Sequence, residues 1–150
     1  MKPLILHPTD TSQWYSLIME AEMQSNISLP VDTESYLVFL LMRSSKKTDW
    51  LDSIIGIDLI HALEKKGHQQ KQLLLDVGDK SLLFSGFFPE LVAKRQLDPM
   101  YFVHIGQIAY ASVGAHPNEP EQKLYYMLSE QFITLQSLLK TAKNICLLTR

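Results

Sequence analysis

The chain has 150 residues, of which 46% are hydrophobic and 20% are charged, and its formal net charge is −2. A globular domain of this length buries about 70% of the surface that its unfolded chain exposes. The hydrophobic fraction is higher, and the net charge smaller, than in disordered chains. The Lys and Arg residues are scattered and form no basic stripe, which argues against nucleic acid as a partner. The single cysteine, Cys146, cannot form an intrachain disulfide, which suits a reducing compartment.

No segment has the composition of an export signal or a membrane span. The N-terminus carries only a few apolar residues between Pro3 and Pro8, where a secretory signal needs about 7–15 in a row. The most apolar window, residues 36–42, is much shorter than the ~20 residues that cross a bilayer. We therefore expect a cytoplasmic protein with no membrane partner.

Helix boundary signals occur along the whole chain, because side chains that accept hydrogen bonds from a first helical turn mark helix starts. Asp98 before Pro99 is one such start, and Asn118 with Glu121 resembles a capping box. Gly67 is typical of a left-handed helix stop. Between these marks apolar residues recur every three or four positions, which predicts helices at residues 11–25, 32–44, 49–66, 70–87, 89–96, 99–114 and 119–143.

Two of the predicted helices should lie at the centre of the fold. Residues 36–42 are apolar around the whole helix circumference, so this helix should be enclosed and Phe39 fully buried. Residues 73–88 are similar, with only a narrow polar stripe. Such helices predict an all-α fold, a single-domain irregular bundle of six to seven helices over residues 1–150. Only residues 4–6 and 145–148 are compatible with an extended conformation.

Five of the six glycines lie inside or near the ends of predicted helices, where each costs about 1 kcal/mol relative to alanine. Close approach of two helices is the ordinary reason for such a cost. A ligand that passes near the backbone is the alternative. The five positions are Gly56, Gly78, Gly86, Gly106 and Gly114.

Three stretches carry a resemblance to a known family: residues 34–43 (ESYLVFLLMR), residues 76–86 (DVGDKSLLFSG) and residues 101–110, from Tyr101-Phe102-Val103 through Gly106 to Tyr110. Together they resemble an uncharacterised family of small all-helical proteobacterial proteins, over about residues 10–115. The resemblance implies a helical domain. It implies no activity, cofactor or catalytic residue.

The polar stripe of residues 70–87 includes Asp76, Asp79 and Lys80. Asp76 and Lys80 are four positions apart, which suits an ion pair on a solvated helix face. The alternative is that Asp79 is partly buried and pairs with Arg43, at the end of the other central helix. Such a buried polar pair would mainly fix the packing of the two helices.

Asp58, His61 and Glu64 bring three ligand-type groups near one side of the third predicted helix. Two-metal sites in helical bundles need a second Asp/Glu-x-x-His, and the chain has none. We therefore expect no metal and no other cofactor, and these three residues are the only metal candidates. His61 also lies on the apolar arc of its helix, which predicts a hydrogen-bonded core histidine.

The sequence lacks the motifs of common enzyme classes. Residues 78–81 (GDKS) resemble the end of a phosphate-binding loop, but Asp79 occupies the position where that loop has glycine. There is no Gly-x-Ser-x-Gly, His-Glu-x-x-His or Gly-x-Gly-x-x-Gly, and Cys146 lies in an apolar tail that gives no cause for a lowered pKa. No acid–base or nucleophilic constellation is identified.

The predicted helix at 99–114 has two contrasting arcs. The arc that should face the core consists of Phe102, Ile105, Ala109 and Val113. The opposite arc carries no charge, and it consists of Met100, His104, Gln107, Ala111 and Gly114. Exposed helix faces usually carry Lys or Glu, so an uncharged strip indicates contact with another helix, either within the fold or across an interface.

The sequence therefore favours a non-catalytic helical protein with a protein partner, which can be a second copy of itself in a homodimer. The reasons are the uncharged strip and the lack of a catalytic constellation. The alternative is a small helical enzyme or ligand-binding domain that uses His61 or His104 in a pocket between helices.

Overall fold

The computed structural model describes residues 10–44, 55–94 and 98–148. The described residues form eight α-helices and contain no strand, so the all-α prediction is confirmed with one helix more than expected. In chain order the helices are α1 (Asp10–Ser25), α2 (Val31–Ser44), α3 (Ile55–Glu64), α4 (Gly67–Gly86), α5 (Pro89–Lys94), α6 (Pro99–Gly114), α7 (Gln122–Glu130) and α8 (Phe132–Leu148). Residues 49–54 and 95–96 of the predicted helices lie outside the described part.

One of the predicted boundary signals, Asp98, acts as expected. The Asp98 side chain accepts a hydrogen bond from the backbone N–H of Met100 at 3.0 Å, and Pro99 opens α6. Gly67 has the left-handed conformation expected of it, with a φ of +61°, but it does not end a helix: α3 already ends at Glu64, and Gly67 is the first residue of α4.

The predicted capping box before α7 is wrong. Asn118 has a φ of +61° and lies in the turn after α6, while α7 begins only at Gln122. The Glu119 carboxylate, and not the Asn118 side chain, accepts a hydrogen bond from the backbone N–H of Glu121 at 2.8 Å. The turn therefore organises around Glu119, which also forms an ion pair with Lys71 at 2.6 Å.

The second half of α4 is the centre of the molecule. Every residue from Val77 to Phe87 is buried, and α4 packs against α3, α5, α6 and α8. Around this centre α6 packs on α7, and α1 packs on α2 and α8. The prediction that this segment is a central helix is therefore confirmed.

The prediction that α2 is enclosed on all sides is wrong. Leu37, Val38, Leu40 and Leu41 are fully buried, but the Phe39 residue is 49% exposed. The reason is that α2 packs on α1 and α7 and leaves one side open, where Phe39 lines a pocket. An all-apolar circumference marked the helix correctly but did not show how many neighbours it has.

The predicted helix at 119–143 is two helices, separated at Gln131. The break carries no Gly or Pro, so no local signal announces it. α7 packs mainly on α6, whereas α8 packs on α1 and α4, and two sets of neighbours require two axis directions. The tail is also helical to Leu148 with Ile145 buried, which corrects the expectation that residues 145–148 could be extended.

Glycines mark the close helix crossings. A Cβ atom at Gly78 would lie 2.7 Å from Cε1 of Tyr110, and one at Gly86 would lie 2.9 Å from Cβ of Leu139. Gly106 likewise faces the ring of Phe132. Side chains of neighbouring helices therefore occupy the space that a Cβ atom would need, as expected for close helix approach. In the part of the chain that the structure describes, no helix meets the length and apolarity required to cross a bilayer.

Candidate functional site

The most organised polar cluster surrounds Asp79 in the middle of α4. The Asp79 residue is 1% exposed. Its Oδ1 accepts hydrogen bonds from the hydroxyls of Tyr36, at 2.6 Å, and Tyr110, at 2.7 Å. Its Oδ2 accepts one from Nη2 of Arg43 at 3.0 Å. The structure thus brings Arg43 and Asp79 together as a polar pair, and Asp79 does not belong to a solvated face.

The four side chains of this cluster come from three helices, and their spacing in the sequence explains how they meet. Tyr36 and Arg43 are seven positions apart on α2, which is about two turns, so both side chains leave the same face. Tyr110 comes from α6 and lies flat against Gly78, the residue before Asp79. A side chain at position 78 would push the Tyr110 ring away, so the glycine lets the hydroxyl reach Asp79.

The electrostatics favour a fixed hydrogen-bonded network. Burial raises the pKa of the Asp79 carboxyl, and the Arg43 charge and the two tyrosine hydroxyls oppose that rise. Burial, reinforced by the Asp79 charge, also raises the pKa of Tyr36 and of Tyr110 well above the usual value for tyrosine. Both hydroxyls therefore remain protonated donors at neutral pH. Because Asp79 already accepts three hydrogen bonds, it serves as an anchor for Arg43.

A pocket of about 490 Å³ opens beside this network, between α2, α4 and the start of α7. Tyr36 and Asp79 line its inner part, and Arg43 and Phe39 line its open side. The Arg43 side chain is 61% exposed although it is bonded to a buried carboxylate. We call this cavity the Arg43 pocket.

The metal candidates Asp58, His61 and Glu64 line a different pocket, of about 420 Å³, between α3 and α4. Lys80 Nζ enters that pocket, 3.5 Å from Asp58 Oδ2 and 3.2 Å from Asp76 Oδ2. A lysine ammonium thus occupies the space between the carboxylates. Among the described residues, no group of three His, Cys, Asp or Glu side chains is placed to hold a metal ion.

Two expectations about this region are wrong. His61 is exposed and not a core histidine, because α3 turns Ala62 toward the core and leaves His61 at the pocket rim. The Asp76–Lys80 ion pair is present, but only its Asp76 side chain is exposed, at 41%, whereas the Lys80 side chain is 6% exposed and does not lie on a solvated face. Packing of α3 against α4 covers Lys80.

The uncharged strip predicted on α6 is divided by the fold. The arc expected to face the core, Phe102, Ile105, Ala109 and Val113, is buried. On the other arc Met100 and His104 are exposed, and Gln107 and Ala111 are half-buried. Gly114 is buried beneath the ring of Tyr126, and the Gln107 carbonyl accepts a hydrogen bond from Ser129 at 2.8 Å. The side of the strip toward α7 therefore makes contacts within the fold.

The exposed side of α6 continues onto α3. Gly56 faces the Tyr101 hydroxyl, and Leu63 lines the same pocket as Ser112, so α3 and α6 run side by side in the same direction. The Ile60 residue, one turn after Gly56, is 58% exposed, and Ile108 is 48% exposed. We call the resulting surface the α3–α6 face. It carries no charged side chain, and it consists of Ile60, Leu63, Tyr101, His104 and Ile108.

The sequence did not identify Tyr36 and Tyr110 as partners of Asp79. The spacing of Tyr36 and Arg43 on one helix face was a usable signal, whereas nothing local connects Tyr110 with α4. Comparison of the chain with protein-family models, with curated proteins and with solved structures found no match. The resemblance to a proteobacterial family stays a prediction.

Proposed function

We propose that this protein is a non-catalytic interaction protein that forms a homodimer through the α3–α6 face. The observation that carries the proposal is the exposure of apolar side chains on two helices in contact: Ile60, Leu63 and Ile108 are each about half exposed, and none of the five residues of the face is Asp, Glu, Lys or Arg. Isolated exposed apolar residues are ordinary on a monomer, but a contiguous patch marks an interaction surface.

The chemistry of the face suits a second copy of the same chain. In a two-fold dimer each patch meets itself, so any charge near the axis would meet a like charge. The α3–α6 face contains no Asp, Glu, Lys or Arg, and the His104 ring can form hydrogen bonds across the axis. Burial of the apolar area contributes about 25 cal/mol per Å² before the cost of association.

The test is the mass of the protein in solution. Light scattering coupled to gel filtration should give twice the monomer mass of 17.2 kDa for the wild type. Ile108→Lys places a cation in the face and should give the monomer mass with the helical circular-dichroism spectrum retained. Ile133→Lys is the matched control, because Ile133 on α8 is 54% exposed and does not belong to the face.

Three results would contradict the proposal. A wild-type protein that stays monomeric at tens of micromolar has no such interface. A dimer that both Ile108→Lys and Ile133→Lys leave intact uses another surface. An Ile108→Lys variant that unfolds would show that the face is covered by the chain itself.

The alternative of a ligand-binding domain is supported at different residues from those expected. His104 belongs to the α3–α6 face, and His61 lies beside a lysine that is already paired. The Arg43 pocket, which contains neither histidine, offers the better-organised polar groups.

A further inference from the structure

We propose that the Arg43 pocket binds a small dipolar ligand that carries a carboxylate at one end and an ammonium group, several carbons away, at the other. The inference is independent of the homodimer, because the pocket and the α3–α6 face share no residue.

Arg43 is the group that would bind the carboxylate end of the ligand. Asp79 is the guanidinium's hydrogen-bond partner among the described residues, and it engages one of the terminal nitrogens. A guanidinium has five N–H donors in a planar fork, so donors remain for a second carboxylate. The buried network of Asp79, Tyr36 and Tyr110 holds the arginine, so binding need not order a free side chain.

The carboxylates of Asp32 and Glu121, which also line the pocket, would bind the ammonium end of the ligand. Asp32 precedes Arg43 by eleven positions on the same face of α2, so their Cα atoms lie about 16 Å apart along the helix axis, and the two side chains and their contacts with a ligand span part of that distance. Asp76 also lines the pocket, but Lys80 neutralises it at 3.2 Å. The pocket thus has one cationic and one anionic end.

The middle of the pocket suits a hydrocarbon chain. The Phe39 ring, half exposed, lies between the two ends on α2, and Leu75 and Leu124 line the opposite walls. A ligand's methylene groups would cover these side chains. A pocket of about 490 Å³ is within the usual range for small-molecule sites.

A dipolar ligand also fits better than a simple ion. An anion at Arg43 would leave Asp32 and Glu121 without a cation and would be repelled by them. A diamine would place a cation beside Arg43. Only a ligand with both charges complements both ends.

The test uses wild-type protein and matched six-carbon probes in isothermal titration calorimetry. We expect 6-aminohexanoate to bind at least about tenfold more tightly than hexanoate or hexylamine, since each lacks one charge-assisted contact. The shorter 4-aminobutyrate and the longer 8-aminooctanoate cover other charge separations. Equal affinity of a singly charged probe with its dipolar counterpart, or no binding by any dipolar probe, overturns the proposal.

Variants assign the two ends. Arg43→Gln should abolish the preference for 6-aminohexanoate over hexylamine, and Glu121→Gln should reduce its preference over hexanoate. Lys123→Gln, an exposed change on α7 outside the pocket, is the control and should bind as wild type does. If Arg43→Gln fails to fold, Glu121→Gln and the probe series still decide.

Ile108→Lys separates this proposal from the homodimer. The variant should lose the dimer and keep the affinity for 6-aminohexanoate. Loss of both would show that the pocket depends on the second copy, which contradicts a site within one chain.

Discussion

At the residue scale, the Asp79 carboxylate connects three helices through its hydrogen bonds. Tyr36 and Arg43 of α2 and Tyr110 of α6 all donate to this carboxylate of α4. A fully buried carboxylate is costly unless it is hydrogen-bonded and paired with a cation, and here two tyrosine hydroxyls and the Arg43 guanidinium meet both conditions. The network therefore specifies one arrangement of α2, α4 and α6, because any other arrangement leaves a buried group unpaired.

Tyr110→Phe tests how much this connection contributes to stability. The change removes only the hydroxyl that donates to Asp79 Oδ1 and should lower the free energy of unfolding by about 1–3 kcal/mol in urea denaturation. Tyr126→Phe is the control: Tyr126 is half-buried, its hydroxyl has no partner among the described residues, and the change should cost less than about 0.5 kcal/mol. Equal losses from both changes would show that the Asp79 bond is unimportant.

A second residue-scale feature is the carboxyl pair of Glu22 on α1 and Glu34 on α2. A hydrogen bond to Glu22 raises the pKa of Glu34 to about 7, with burial and the charge of Glu22 acting in the same direction. The unfolded value is 4.5. Because the folded protein binds the proton more tightly, this group's stabilisation is full below pH 4.5 and is lost as the pH rises through about 7.

The prediction is a difference in pH dependence. Glu34→Gln keeps an amide that can hydrogen-bond to Glu22 and removes the titration, so its free energy of unfolding should fall less than that of wild type between pH 5 and pH 8. Glu20→Gln, on α1 without a described carboxylate partner, should follow the wild type. If the free energies of unfolding of wild type and Glu34→Gln change in parallel with pH, the raised pKa of Glu34 is contradicted.

At the element scale, two phenylalanines that lie in similarly apolar helix segments differ in burial, because α2 has an open side and α4 does not. Phe84 on α4 is 1% exposed and stacks on Phe102 with ring centroids 5.8 Å apart, whereas Phe39 is half exposed. Phe84→Ala should therefore cost about 3–5 kcal/mol of unfolding free energy, through lost burial and a cavity. Phe39→Ala should cost about 1 kcal/mol. Equal losses in urea denaturation would show that α2 is enclosed after all.

The crossing of α6 with the start of α8 depends on a glycine. Gly106 leaves room for the Phe132 ring, and an added methyl group would have to displace it. Gly106→Ala should cost about 1–3 kcal/mol through overpacking, although alanine is the better helix former. In the double variant with Phe132→Leu the methyl group should cost less, which a double-mutant cycle in urea measures. A stabilising Gly106→Ala would mean that the two helices are not closely packed.

At the scale of the whole molecule, α4 is surrounded and the first and last described helices close the bundle. Ser25 on α1 donates a hydrogen bond to Thr141 on α8 at 3.1 Å. With the core filled in this way, the exposed apolar side chains of the α3–α6 face lie outside it, and on these we base the homodimer.

The homodimer predicts a melting temperature that depends on protein concentration. Association stabilises the folded state by mass action, so the wild-type melting temperature should rise over a hundredfold increase in concentration. The melting temperature of Ile108→Lys should stay constant over the same range. A constant wild-type value in calorimetry would contradict the dimer.

The sequence by itself determined the helices and most of their boundaries, because periodicity and the Asp98 cap act over a few residues. It also suggested the Arg43–Asp79 pair, since a charge beside an all-apolar helix segment needs a partner. Only the tertiary structure decided which faces are covered: Phe39 half exposed, His61 at a rim, Gly114 beneath Tyr126, and α7 separated from α8. The physical reason is that burial depends on the number and direction of neighbouring helices, and contacts between distant segments such as Tyr110 and Asp79 set these without any local signal.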